Sequence, residues 1–138
     1  MQVPSKSAAL KAINAYEETL KKLPELLDAS NENAEFWAEK LNLSRTAISN
    51  KKHGRRDWKA HEVRKILEIL NLDVKIVDAY LNVLDNVDKM IALKGYQKLF
   101  IYNKVGLSNV QKRSRTLSTK KDYSVWQIEE IKKLVTVL

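Results

Sequence analysis

Between Trp37 and Trp58 the chain reads WAEKLNLSRTAISNKKHGRRDW. Its apolar positions, Trp37, Ala38, Leu41, Leu43 and Ile48, predict two short helices around a corner, with the turn at Leu41-Asn42-Leu43. Asn42 is one of the few residue types that accepts a left-handed backbone at such a turn. Ser44 is placed to cap the second helix, accepting from backbone N–H groups two or three residues on. Arg45, Thr46, Ser49 and Asn50 then fall on the outward face, followed by Lys51, Lys52, Arg55 and Arg56. Small polar side chains backed by a cationic rim suit a helix that enters a major groove.

Working outward, composition bounds the possibilities. The 138 residues suffice for one ordinary domain or two very small ones. A formal charge of +8 and a pI near 9.6 favour a polyanionic partner, most simply nucleic acid. A hydrophobic fraction of 44% with three Gly and two Pro describes a globular, helix-rich chain. With no cysteine, a disulfide framework, a thiolate zinc site and a cysteine nucleophile are excluded. The start, MQVPSKSAALK, has no apolar signal core, and no apolar run approaches membrane-spanning length. The expectation is a cytoplasmic, nucleoid-associated protein that does not enter a membrane.

Ahead of the opening stretch, Leu10, Ile13, Tyr16, Leu20, Leu23 and Leu27 step by three and four, which predicts a helix. Pro24 predicts a kink or break near Leu23, because proline lacks a backbone donor and disfavours helix at the preceding residue. Glu17, Glu18, Glu25 and Asp28 make this end acidic, and residues 29–33 form a polar connector. Beyond the opening stretch, residues 59–70 read as an amphipathic helix with Ala60, Val63, Ile66, Leu67 and Leu70 inside and Asn71 at its end. From Asp73, Val74, Val77, Tyr80, Leu84, Val87 and Ile91 predict a helix of about six turns, since no Gly or Pro appears until Gly95.

The chain repeats itself. A shift of 64 positions sets Ile13 on Val77, Tyr16 on Tyr80, Leu20 on Leu84, Leu23 on Val87 and Leu27 on Ile91. It also sets Phe36 on Phe100, Lys40 on Lys104, Leu41 on Val105, Leu43 on Leu107 and Ser44 on Ser108. With one extra loop residue, Asp57 meets Asp122, Trp58 meets Tyr123, Val63 meets Ile128 and Ile66 meets Ile131. The reading is an all-α protein of two tandem helix-turn-helix units, 1–72 and 73–138, joined by a long helix. Ser124 and Gln127 carry the spacing of a capping box that opens the last helix.

On these residues the first unit resembles the Cro/cI-repressor, or Xre-like, helix-turn-helix family over about Ala34 to Leu70. Ala38 stands at the family's small residue, Asn42 at its turn glycine, and Leu43-Ser44 follows as expected. Ile48 takes the buried recognition-helix position, and Gly54-Arg55-Arg56 takes the Gly-basic loop. Ala34 replaces the glutamine that often opens the motif, and Lys51 sits where the family has a second apolar residue. The latter predicts a recognition helix that ends early and turns its last residues to solvent. In the second copy Tyr102 replaces Ala38 and is too bulky for the usual close helix crossing. Lys112 replaces Ile48 and should not be buried unpaired.

The resemblance implies a lambda-repressor-like fold and a sequence-specific regulator of transcription bound to double-stranded DNA. Base readout is expected from Ser44, Arg45, Thr46, Ser49 and Asn50, and phosphate contacts from Lys51, Lys52, Arg55, Arg56 and Lys59. A second DNA contact is expected from Ser108, Asn109, Gln111, Lys112, Arg113, Arg115, Lys120 and Lys121, acting more as a backbone clamp or partner surface. A homodimer or a protein partner through the second unit is compatible with this layout. The competing expectations are a phage or mobile-element protein-interaction module that keeps the fold, and an RNA binder, for which no stacking-aromatic platform is legible.

The blander readings make Trp37, Trp58 and Trp126 core residues, and His53 and His61 solvated ones. His61-Glu62 is not a zinc motif, because position 65 is Lys. No catalytic residue, metal site or cofactor is expected, and the chain does not read as an enzyme.

Overall fold

The computed structural model describes residues 3–106, Tyr123 and 126–138. Among these the protein is all-α, with seven helices and no strand. They are α1 (Lys6–Ala29), α2 (Ala34–Leu41), α3 (Arg45–Lys52), α4 (Ala60–Ile69), α5 (Lys75–Leu93), α6 (Lys98–Lys104) and α7 (Ile128–Thr136). The chain divides into two compact units, one of Ala15–Asp78, the other of Met1–Asn14 with Ala79–Leu138. The division falls inside α1 and inside α5.

Helix α1 begins where the Ser5 hydroxyl accepts the Ala8 N–H at 3.1 Å. Ala9, Ile13, Tyr16, Leu23 and Leu27 form its buried stripe, and Leu20 is half-buried. The break expected near Leu23 is absent, since Pro24 lies inside a continuous helix. An interior proline costs roughly 3 kcal/mol. Complete burial of Leu23 and near-complete burial of Leu27, each worth about 1.5–3 kcal/mol, offset that cost.

In the Ala15–Asp78 unit, α2 packs on α3, and Trp37, Ala47, Ile48, Val63, Ile66 and Leu67 are buried. Helix α4 closes at Asn71, whose positive φ of 59° lets the Leu72 N–H reach back to the Leu67 carbonyl at 2.8 Å. Arg64 Nε then donates to Asp78 Oδ1 at 2.7 Å, an exposed link from α4 to the start of α5.

In the other unit, α5 spans 19 residues, about five turns. It buries Tyr80, Val83, Leu84, Val87, Met90 and Ile91. Asn86 is buried too, its amide donating to the Asn82 carbonyl at 2.7 Å and the Asn82 side-chain oxygen at 3.0 Å. Helix α6 packs on α7, and Ile101, Tyr102, Ile131, Leu134 and Val135 are buried.

Local geometry recurs at the 64-residue shift. Helix α1 ends at Ala29 and α5 at Leu93. Asn31 and Gly95 follow with φ of 60° and 73°, and the turns after α2 and α6 put Asn42 and Gly106 at 55° and 84°. Lys40 lies over the Phe36 ring at 5.6 Å, and Lys104 over the Phe100 ring at 5.5 Å.

The last helices require a different register from the one read in sequence. Lys59 and Gln127 are the N-cap residues of α4 and α7, and each donates its N–H to a glutamate three residues on: Glu62 at 2.9 Å, Glu130 at 3.0 Å. Trp58 therefore matches Trp126 instead of Tyr123, and Val63, Ile66 and Leu67 match Ile131, Leu134 and Val135, all buried. The box that opens α7 is Gln127–Glu130, one helical step beyond Ser124–Gln127. A slip of three residues keeps an amphipathic face almost in place, so periodicity alone does not expose it.

Candidate nucleic-acid interface

The site grows from the α2–α3 corner. Asn33 caps α2, its side-chain oxygen accepting the Phe36 N–H at 2.9 Å. The helix ends at Asn42, whose left-handed backbone lets Leu43 N–H donate to the Ala38 carbonyl at 2.9 Å. Ser44 Oγ then accepts the Ala47 N–H at 3.0 Å and starts α3. Trp37 on α2 and Ala47 and Ile48 on α3 are buried, which fixes which side of α3 faces out. The Trp37 indole N–H has no hydrogen-bond partner among the described residues.

Ser44, Arg45 and Thr46 are exposed at the N-terminal end of α3. Ser49 and Asn50 are half-buried and are committed to the loop that follows. The His53 imidazole Nδ1 sits 2.8 Å from the Ser49 carbonyl, a distance that suits its donating there. The Asn50 carbonyl accepts the N–H groups of Arg55 at 2.8 Å and Arg56 at 3.3 Å, while its side-chain oxygen accepts from the Arg55 guanidinium at 3.1 Å. Gly54, at φ 79°, makes the reversal that brings those amides back. Asn50 thus organises the loop, leaving its side-chain NH2 as the group still able to donate outward.

Lys51 departs from its expected role. It is only 5% exposed, and its ammonium pairs with the carboxylate of Glu62, itself 4% exposed. The same ammonium lies 5.8 Å from the centre of the Trp58 ring. Lys51 therefore neither turns to solvent nor reaches a phosphate. It fills the apolar slot with its methylenes and ties the end of α3 to the N-terminus of α4, where Glu62 also accepts the Lys59 N–H. The two charges are tolerable in the interior because each supplies the other's partner.

Lys52 pairs with Asp28, yet both side chains keep solvent exposure, so a stronger anion could displace that contact. Arg55, Arg56 and Lys59 are exposed and have no carboxylate partner among the described residues. His53 and His61 are also exposed, and no group of His, Asp or Glu able to hold a metal occurs among the described residues.

In the second copy, Ser108, Asn109, Gln111, Lys112, Arg113, Arg115, Lys120 and Lys121 lie outside the described residues. Around them the described parts show how the bulk of Tyr102 is accommodated. Its ring meets Trp126 edge-on at 5.2 Å, and its hydroxyl lies 3.2 Å from that of Tyr123. Tyr123 gives its one proton to Asp88 at 2.5 Å, so Tyr102 is the donor to Tyr123. Burial, then the Asp88 and Tyr102 hydrogen bonds, push the Tyr123 phenol well above its ordinary pKa and keep it a donor. Sequence offered no signal for this chain, whose members are separated by 14 and 21 residues.

A scan of protein-family models and searches of curated proteins and solved structures found no match to this chain.

Proposed function

We propose that the protein is a sequence-specific DNA-binding regulator of transcription in the manner of the Cro/cI-repressor family, acting in the cytoplasm on chromosomal or phage DNA. Arg45 and Thr46, with Ser44, read base edges from the N-terminal end of α3 in the major groove. Arg can pair bidentately with guanine, and the Thr methyl can touch thymine. Arg55, Arg56, Lys59 and the displaceable Lys52 contact phosphates, which orient the protein and carry the salt dependence. The second copy acts as a further helix-turn-helix that clamps the backbone through the 108–121 segment.

The observation that supports this reading most is the division of α3. Its buried side holds Ala47, Ile48 and Lys51, while Arg45 and Thr46 stand exposed, followed by Arg55, Arg56 and Lys59, exposed and without a carboxylate partner among the described residues. Titration with random duplex DNA at two salt concentrations tests the electrostatic part; no binding at low salt would sink the proposal. Selection from a random duplex pool tests the specific part, with Arg45→Ala expected to relax one position of the motif at a cost of about 1–3 kcal/mol.

A further inference from the structure

We infer that Tyr96 and Phe100, at the corner between α5 and α6, form a stacking site for the unpaired bases of single-stranded nucleic acid. Both rings are large and open to solvent, at 42% and 48% exposed, and they lie against one another with centroids 5.4 Å apart and planes tilted by 33°. Leu93, the last residue of α5, is exposed as well. At the matching positions the first copy has Ala29, Glu32 and a half-buried Phe36, so its corner lacks the exposed pair.

The electrostatic setting selects the occupant. Along residues 89–106 the chain holds Lys89, Lys94, Lys98 and Lys104 and no Asp or Glu. Lys94 and Lys104 are exposed, and the Lys104 ammonium lies over the Phe100 ring at 5.5 Å. Aromatic faces set in an acid-free basic tract are what proteins use to hold bases while cations follow the phosphates. Two rings and a leucine are too little surface for a stable protein interface, which needs about 800 Å² on each partner. They suffice for one or two stacked bases. Duplex DNA keeps its bases within its own stack, so this site is separate from that of α3 and does not rest on it.

The test is fluorescence anisotropy with labelled oligo(dT) and oligo(U) of about twelve nucleotides, within the usual site sizes for single strands. A duplex of the same length runs in parallel. Wild-type chain is expected to bind at least one single strand, and Tyr96→Ala with Phe100→Ala to weaken that binding about tenfold or more while leaving duplex binding within about twofold. Phe100→Trp keeps a stacking face and retains affinity, whereas Phe100→Leu keeps only apolar bulk and loses it. Lys94→Gln with Lys104→Gln flattens the salt dependence. Preference for oligo(dT) or oligo(U) supports the site and tells DNA from RNA. Equal single-strand affinity of wild type and the double alanine variant overturns it, as does absence of single-strand binding at low salt. Self-association of the wild type that the alanine pair abolishes, with single-strand binding unchanged, also overturns it and assigns the patch to a second copy of the chain.

Discussion

Two corners of this molecule share a backbone and differ in chemistry. Residues 28–40 and 92–104 both end a long helix, pass through one residue of positive φ and begin a short helix that carries a lysine over a phenylalanine. The first corner holds four acids against one lysine, and the second holds three lysines and no acid. The positions that do not vary in kind are those where the backbone needs a left-handed residue or a buried side chain. Apart from the lysine–phenylalanine pair, most of the positions facing water have been rewritten. Shape and surface are therefore separable here, and the two copies can present opposite charge from one framework.

The deepest asymmetry lies under the surface, where the first copy joins α3 to α4 through a buried ion pair and the second joins α5 and α6 through a tyrosine relay. Removing one partner breaks the first joint most severely. Glu62→Ala strands a buried lysine and should cost about 3–5 kcal/mol in a urea unfolding titration. Lys51→Met with Glu62→Leu should recover most of it, because a well-packed apolar pair can replace a buried ion pair. If the single and double variants unfold alike, the ion pair is not what holds the joint.

A smaller loss is expected in the second copy. Tyr123→Phe deprives Asp88 of a donor and leaves Tyr102 without its acceptor there, at about 1–3 kcal/mol. The same substitution removes the phenol whose raised pKa keeps it protonated. Wild-type stability should hold up to the ordinary tyrosine range and fall as pH rises through and beyond it, since there the unfolded chain releases this proton while the folded state still holds it. A steep loss beginning below that range would contradict the relay.

The corner turns give the smallest effect and the sharpest contrast. Gly95→Ala forces a Cβ into a left-handed backbone and should cost about 1–2 kcal/mol by thermal melting. Gly95→Asn copies the residue at position 31 and should cost a fraction of that. Equal penalties for the two would mean that the positive φ is not what links the corners.

Much of this architecture was legible in sequence for local reasons. The faces of α1 and α5 follow from steps of three and four, and Asn42 and Ser44 announce the turn and cap through chemistry confined to a few residues. The interior placement of Lys51 was not legible. A lone lysine at an apolar position reads as solvated unless its counter-ion is known, and Glu62 lies eleven residues away on another helix. The register of α7 was misread by three because periodicity tolerates that slip, whereas the cap at Gln127 does not. Of the kink or break expected at Pro24, the break does not occur, since the local cost of a proline is set against burial that only tertiary structure supplies. Of the candidate interface, Arg45 and Thr46 could be named from spacing alone. The loop-organising role of Asn50 could not, because it depends on where Gly54 sends the chain.

The most direct test of the central claim is a selection from a random duplex pool run in parallel on wild type, Arg45→Ala with Thr46→Ala, and Lys51→Met with Glu62→Leu. The account predicts a defined motif for wild type, a relaxed motif for the Arg45 and Thr46 variant, and an unchanged motif for the variant of the buried pair. A motif that survives loss of Arg45 and Thr46 but changes with Lys51 and Glu62 would contradict it.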